Sequence, residues 1–152
     1  LVSESAFRRE FNQVIAKLDP CSVENLLAGK TGIGMPDVNL VYGWAELKWL
    51  RSYPKREATP VRIDHYTDEQ RAWLLRRYKA GGATWLVLKV RTDWFIFNAL
   101  QAQKVGFLTK QGLLDNATKF FLKKPSSAEL CSVFEDSANR IDEWHLDYHE
   151  FT

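Results

Sequence analysis

The sequence has no long apolar run and no secretory signal. No stretch approaches the roughly 20 apolar residues that a membrane-spanning helix needs, and the charged segment around residues 4–10 is unlike a signal peptide. From these absences we expect a soluble cytoplasmic protein without a membrane partner.

Cysteine is also scarce, which excludes a disulfide-rich secreted scaffold. The chain has two cysteines, Cys21 and Cys131. A disulfide between them is one option, but their number and the lack of secretory features favour reduced thiols that pack as small apolar side chains. Repeats, low-complexity tracts and a glycine-rich phosphate loop are absent as well, which excludes solenoids and P-loop folds.

The composition that is present predicts one domain, because 45% of the 152 residues are hydrophobic. Charge is divided unevenly: residues 46–91 hold eleven Lys and Arg against five Asp and Glu, whereas residues 125–152 hold one against seven. A basic surface suits phosphate contacts, although basic loops are also common as solvated segments. The expected nucleic-acid-binding residues are Lys30, Arg51, Lys55, Arg56 and Arg62.

The most informative residues are three polar ones in an apolar stretch, Asp37, Glu46 and Lys48. Side chains alternate between the two faces of a strand, so Glu46 and Lys48 share one face. A hairpin turn at Tyr42-Gly43 would pair Asp37 with Lys48 and place Glu46 diagonally beside both. The pattern therefore predicts that two carboxylates and a lysine converge.

This set of residues has the chemistry of a metal-dependent phosphodiesterase. Carboxylates suit Mg²⁺, which retains waters and binds phosphate oxygens. Asp37 and Glu46 would bind the metal, with the backbone carbonyl of Leu47 as a further ligand. Lys48 would assist the attacking water and stabilise charge on the phosphoryl oxygens. The plain alternative is an ion pair between Glu46 and Lys48 on a half-exposed strand, preceded by a turn at Pro36.

From Gly32-Ile33-Gly34-Met35-Pro36-Asp37 to Lys48 the sequence resembles the PD-(D/E)xK nuclease superfamily. Within it, the chain is most similar to the virus-type replication-repair nucleases, whose relatives include archaeal Holliday-junction resolvases. The resemblance covers about residues 3–98. It implies an α/β restriction-endonuclease-like fold with a helix-strand-strand-strand-helix-strand core and a mixed sheet of about four strands. It also implies Mg²⁺- or Mn²⁺-dependent DNA cleavage in phage or microbial replication, repair or recombination.

Two further site residues follow from the resemblance, Glu4 and Gln70. The family has an acidic residue on its first helix, and Glu4 lies on the apolar stripe of that helix, so we expect it to support the metal through water. Alternatively, Glu4 only follows an N-cap at Ser3. The family also directs a glutamine at the active centre from the place of Gln70, which alternatively only completes a capping box with Thr67.

The loop from Arg51 to Tyr66 is long for a compact domain, and we expect it to form a flap that faces the substrate. His65 is left out of the catalytic set, because a lone histidine beside a helix start is more often a surface or capping group. The β-branched and aromatic residues of 84–90 and 94–97 predict two strands at the centre of the sheet.

Residues 99–152 are expected to form a helical extension of the 1–98 nuclease core, within a single domain. Leu113, Leu114, Phe120 and Phe121 recur at helical spacing and are candidate contacts of a homodimer, which would cut both strands of a symmetric junction. Packing within one chain is the alternative. The predicted function is an endonuclease for branched or flapped DNA, and the alternative is a non-catalytic nucleic-acid-binding or assembly module with the same fold.

Overall fold

The computed structural model describes residues 3–15, 23–25 and 34–139, and it has one six-stranded mixed sheet with helices on both faces. The helices are α1 (Glu4–Ile15), α2 (Asp68–Lys79), α3 (Ala99–Ala102), α4 (Lys110–Asn116) and α5 (Ser127–Asn139). The strands are β1 (Val23–Asn25), β2 (Val38–Leu40), β3 (Gly43–Leu50), β4 (Thr84–Val90), β5 (Asp93–Asn98) and β6 (Lys119–Phe121). The predicted α/β class, mixed sheet and C-terminal helix are therefore confirmed. None of these helices is long and apolar enough to cross a membrane.

The strands lie side by side in chain order. β3 and β4 are parallel, and every other neighbouring pair is antiparallel. A parallel pair needs a crossover connection, and the segment that contains α2 provides it. β4 and β5 are almost completely buried, because covered sheet faces select apolar and β-branched residues. Both strands were predicted at the sheet centre, and both are confirmed.

The sheet separates two apolar clusters. On one face, Phe7 and Phe11 of α1 contact Trp94, and Phe134 of α5 contacts Phe11 and Trp85. These residues belong to one buried cluster, which confirms the predicted apolar stripe of α1. The other face is covered by α2, α3 and α4 over a second cluster that includes Leu74. Charged residues on β3 must therefore lie against one of two well-packed layers.

Helix α2 begins and ends as its sequence predicts. Thr67 and Gln70 form the reciprocal hydrogen bonds of a capping box, at 3.2 and 2.9 Å. Gly81 follows the helix with a φ of +98°, which a residue with a side chain rarely adopts. A second capping box, between Ser126 and Glu129, is formed at the start of α5.

The β2–β3 hairpin has a register two residues away from the predicted one. Leu40 pairs with Gly43, so the turn consists of residues 41–42 and not of Tyr42 and Gly43. Gly43 has a φ of +155°, and a Cβ at this position would lie 2.2 Å from the carbonyl oxygen of Ala83. Because only glycine allows this close backbone approach, Gly43 belongs to the strand and the turn moves back.

The shift in register moves Asp37 from a position opposite Lys48 to one opposite Glu46, if the β2–β3 pairing is continued. Side chains alternate with a period of two, so a shift of two residues leaves Asp37 on the same side of the sheet. The detailed pairing was therefore wrong, but the predicted convergence does not depend on it.

The segment after residue 98 was expected to be helical, but it also contains a strand. Residues 119–121 form β6, which pairs with β5 and extends the sheet. The edge of an unpaired strand has free N–H and C=O groups. The hydrogen bonds that residues 119–121 make with these groups stabilise the extended form more than the weak helical preference of a short segment stabilises a helix. Leu113 and Phe121 are buried, and Leu114 and Phe120 pack against the core of the same chain. These four residues therefore do not support a dimer interface.

The long loop between β3 and α2 is anchored to the core. Val61, Ile63 and Tyr66 are buried. The backbone N–H of Val61 donates to the carbonyl of Leu108 at 2.8 Å, and the Tyr66 hydroxyl donates to the carbonyl of Ala102 at 3.0 Å. The loop that was predicted to be a flap is therefore packed against the core through these buried residues, and the residues between them are exposed.

Cys131 is buried and disulfide-bonded, so the expectation of reduced thiols is wrong at this residue. Cys21 lies outside the described residues. Sequence spacing does not determine whether two cysteines come within bonding distance, because that depends on how the chain folds.

Candidate functional site

The candidate site lies where β2 ends and β3 continues. β2 pairs with β3 only as far as Ala45, so the following backbone amides at that edge need other acceptors. Asp37 supplies one, because the N–H of Leu47 donates to Asp37 Oδ2 at 3.0 Å. The backbone of β3 thus fixes the Asp37 carboxylate beside Glu46. Leu47 contributes this N–H to the site, while metal binding by its carbonyl stays a prediction.

Glu46 and Lys48 lie side by side on the face of β3 that is directed toward α2. Their exposed fractions are 1% and 3%, and Lys48 Nζ lies 3.2 Å from Glu46 Oε1. Ala45 and Leu47 point to the opposite face, into the cluster around α1. The alternative of an ion pair on a half-exposed strand is therefore wrong. Charged groups are costly to remove from water, so their burial in the core marks a candidate functional site.

The Glu46 carboxyl has a strongly raised pKa. Its pKa is raised to about 9, mainly by burial and then by the charge of Asp37 and a hydrogen bond with it, while Lys48 lowers it. Glu46 Oε2 is buried and has no hydrogen-bond donor among the described residues. Two carboxyl groups in contact without a donor between them share a proton or a cation. The raised pKa favours the uncharged form of Glu46 in the metal-free protein at neutral pH, and a divalent cation would compete with its proton.

The raised pKa of Glu46 predicts how stability depends on pH. Between pH 4.5 and about 9 the folded protein keeps a proton that the unfolded chain has released. The stabilisation is fully present below pH 4.5, and the free energy of unfolding then falls by up to about 1.4 kcal/mol per pH unit as pH rises. Urea unfolding from pH 5 to 8 measures this slope in the metal-free protein. Mg²⁺ should reduce this dependence of the free energy of unfolding on pH. An identical slope in Glu46→Gln would show that Glu46 is not the group responsible.

Gln70 makes the hydrogen bonds that both interpretations of its sequence position require. Its Oε1 accepts from the Thr67 N–H at 2.9 Å, and its Nε2 donates to Glu46 Oε1 at 3.0 Å. One amide group therefore joins the helix cap to the site. Because the cap fixes the side chain, the donor is already oriented toward Glu46.

Glu4 reaches the site through Lys48. Its Oε1 lies 3.9 Å from Lys48 Nζ, and its Oε2 lies 2.8 Å from His65 Nε2. Ser3 Oγ also accepts from the N–H of Ala6 at 3.1 Å, so Glu4 does follow an N-cap. As with Gln70, a structural position at a helix start coincides with a position at the site.

Two residues of the site were not predicted, Arg8 and His65. Arg8 Nη2 lies 2.5 Å from Asp37 Oδ1. Arg8 follows Glu4 by four residues, so helical spacing alone indicates that both lie on one side of α1. His65 comes from the anchored loop to reach Glu4, and no local pattern indicates contact between such distant segments.

The Asp37–Glu46 pair is the part of the site that fits a metal ion. Within residues 3–15 and 34–139, no three His, Cys, Asp or Glu side chains are grouped closely enough to hold a metal between them. Mg²⁺, however, is commonly held by one or two carboxylates and retains several waters. Both Asp37 oxygens accept hydrogen bonds, from Arg8 and Leu47. Glu46 Oε2, which no described residue supplies with a donor, is therefore the atom that best fits a cation.

A second lysine–glutamate pair lies on the opposite face of the sheet and provides a comparison. Lys89 Nζ is 2.7 Å from Glu10 Oε1, and the two side chains are 12% and 30% exposed. Lys89 also lies near the rings of Phe7 and Trp94. These contacts place Lys89 away from the candidate site.

The predicted nucleic-acid-binding residues lie on the surface. Arg51, Lys55, Arg56 and Arg62 are exposed, and Lys30 lies outside the described residues. Their contact with DNA stays a prediction.

The sequence matches no model of a known protein family, and it matches no curated protein. The arrangement of Asp37, Glu46 and Lys48 is therefore the main support for any functional assignment.

Proposed function

We propose that the protein is a deoxyribonuclease of the PD-(D/E)xK type that hydrolyses phosphodiester bonds with Mg²⁺ or Mn²⁺. The observation that carries this proposal is the contact between buried Glu46 and partly buried Asp37, in which Glu46 Oε2 has no donor among the described residues. Such a pair lowers the stability of the metal-free protein, and strongly perturbed carboxyls of this kind are concentrated at functional sites. Lys48 completes the set at 3.2 Å from Glu46.

The order of elements supports the same assignment. α1, β1, β2, β3, α2 and β4 follow one another in the order that the resemblance to virus-type replication-repair nucleases implies. Asp37 directly precedes β2, Glu46 and Lys48 lie on β3, and Gln70 lies in the first turn of α2. These positions support the assignment that the resemblance implies.

The site residues have distinct roles in this proposal. Asp37 and Glu46 would hold the cation, which would supply electrophilic activation of the phosphate and a reactive water at neutral pH. Lys48 orients the attacking water and stabilises charge that develops on the phosphoryl oxygens. Gln70 keeps Glu46 oriented through its 3.0 Å hydrogen bond. Glu4 positions Lys48 and supports the metal through water.

The proposed substrate is branched or flapped DNA, in the cytoplasm of a phage-infected or microbial cell. Exposed Arg51, Lys55, Arg56 and Arg62 would neutralise phosphates, so affinity should fall steeply as salt rises. Cutting both strands of a symmetric branch requires two opposed centres, and a two-fold homodimer provides them. Its interface would use surfaces other than the buried residues of α4 and β6.

A cleavage assay tests the proposal. The purified protein is expected to cut flapped or four-way DNA with Mg²⁺ or Mn²⁺, to stop when EDTA removes the metal, and to recover when metal is restored, because the carboxyl pair needs a cation to act. Gel analysis of end-labelled DNA measures the products, and light scattering measures the oligomeric state. Folded protein that cuts no DNA with either metal would contradict the nuclease assignment.

A non-catalytic nucleic-acid-binding module is the second candidate, and Arg8 favours it. The Arg8 guanidinium and the Leu47 N–H already bond both oxygens of Asp37, so the charge of this carboxylate is compensated without a metal. The same assay separates the two candidates, because such a module would bind DNA with no metal-dependent product.

A further inference from the structure

Two tryptophans lie next to the candidate site on the same face of the sheet. Trp44 precedes Glu46 by two residues on β3 and therefore points to the same side. Trp73 lies on α2, one turn after Gln70. The two indole rings meet edge to face, with centroids 5.5 Å apart and planes at 64°. They thus form one aromatic surface beside the carboxylates.

This surface differs from the aromatic core of the protein. Trp85 and Trp94 are fully buried, whereas Trp44 and Trp73 are only partly buried. The exposed Arg77 places its guanidinium 4.9 Å from the Trp73 centroid and 5.9 Å from the Trp44 centroid. Because Arg77 is exposed, the outer side of this arginine–aromatic cluster is accessible to a ligand from solvent.

The surroundings favour a ligand that is both aromatic and negatively charged. Arg76, Arg77 and Lys79 form the basic last turn of α2. A recess next to the rings is lined by Trp73, Arg76, Arg77 and Ala80. A nucleobase stacks on indole rings and on guanidinium planes, while its phosphates pair with neighbouring cations. A nucleic-acid strand satisfies both features at once.

The distance along β3 relates this surface to the site. Two residues of a strand span about 6.6 Å, at roughly 3.3 Å each, and neighbouring nucleotides of one strand are at least about 3.4 Å apart, which is the stacked duplex spacing. The rings therefore lie within reach of a base that is one or two nucleotides away from a phosphate at Glu46 and Lys48.

We propose that Trp44, Trp73 and Arg77 form a stacking site for an unpaired base next to the scissile phosphate. The inference rests on the proposed nuclease function and narrows its substrate to DNA with single-stranded character at the cut. In an intact duplex both faces of each base are covered by neighbouring bases, so a duplex cannot use the site without unstacking. A flap or an open branch offers the unpaired base directly.

Variants of Trp73 test the stacking site. Trp73→Leu keeps an apolar side chain but removes the π face, and should weaken metal-free binding of a fluorescent oligothymidine roughly 5- to 150-fold, the effect of losing one base-stacking contact. Trp73→Phe should retain most of the affinity. Arg77→Gln should also weaken binding of the oligothymidine. Because Arg77 is exposed, this variant should fold and can decide the test if Trp73→Leu does not fold.

Phe107→Leu is the matched control. Phe107 is 69% exposed and lies under the Arg71 guanidinium at 5.3 Å, so it is another arginine–aromatic pair, outside the proposed stacking site. Its variant should bind the oligonucleotide as the original chain does. Equal losses in Phe107→Leu and Trp73→Leu would overturn the proposal.

Cleavage then separates this inference from the nuclease assignment. With Mg²⁺, Trp73→Leu should lose the preference for flapped over plain duplex DNA. If the original chain cuts DNA and this preference is unchanged in Trp73→Leu, the stacking site is refuted while the nuclease stands. If neither the original chain nor the variant cuts DNA but Trp73→Leu still binds oligothymidine more weakly, the stacking site is supported without catalysis. If oligothymidine binding is unchanged and Trp73→Leu alters the oligomeric state, the surface is a protein interface and the proposal fails.

Discussion

Glu46→Gln is expected to abolish metal-dependent DNA cleavage while it raises the stability of the metal-free protein at pH 8. The amide has nearly the same shape, so Oε1 can still accept from Gln70. Its nitrogen takes the place of Glu46 Oε2, which has no donor among the described residues, and it can donate to Asp37. In the variant the amide therefore supplies the hydrogen-bond donor that the two carboxyl groups lack. The neutral amide, however, no longer offers a charged ligand to a hard cation.

Glu10→Gln is the control for this experiment. Glu10 also pairs with a lysine, but on the other face of the sheet, 2.7 Å from Lys89. Its variant should cut DNA as the original chain does. Thermal unfolding with and without Mg²⁺ provides the second measurement, since the metal should stabilise the original chain and the Glu10 variant but not Glu46→Gln. Metal-dependent cleavage by Glu46→Gln at a normal rate would refute the proposed role of the carboxylate.

Lys48→Met is expected to lower the turnover number by on the order of 10² or more, because it removes a positive charge that acts on the developing phosphoryl charge. Methionine is preferable to alanine here. Lys48 is only 3% exposed, so alanine would leave a cavity in addition to removing the charge, and the two effects would be mixed.

The kinetic readout distinguishes catalysis from binding. Lys48→Met should lower kcat with little change in the concentration of Mg²⁺ at half-maximal activity, since Asp37 and Glu46 remain. Lys89→Met, which removes the lysine of the pair on the opposite face, should leave kcat unchanged. A turnover number within a few-fold of the original in folded Lys48→Met would exclude Lys48 from the chemistry.

The sequence by itself determined the local structure around the site. The capping box at Thr67 is formed as predicted, because its hydrogen bonds join residues only three apart. The shared face of Glu46 and Lys48 followed from strand alternation, which is a property of the extended backbone. It also survived the error in hairpin register, since a shift of two residues preserves the face.

Tertiary structure decided what each of these residues contacts. Gly43 entered β3 because its backbone approaches Ala83, and residues 119–121 became a strand because the edge of β5 was open to pairing. The burial of Glu46 and its raised pKa depend on α2 covering that face and on Asp37 lying against it.

Arg8 and His65 reached the site from segments far from β3 in the chain. These features depend on which distant parts of the chain come together. The free energy of such contacts comes from surfaces that meet only after folding, so no local pattern carries their signal.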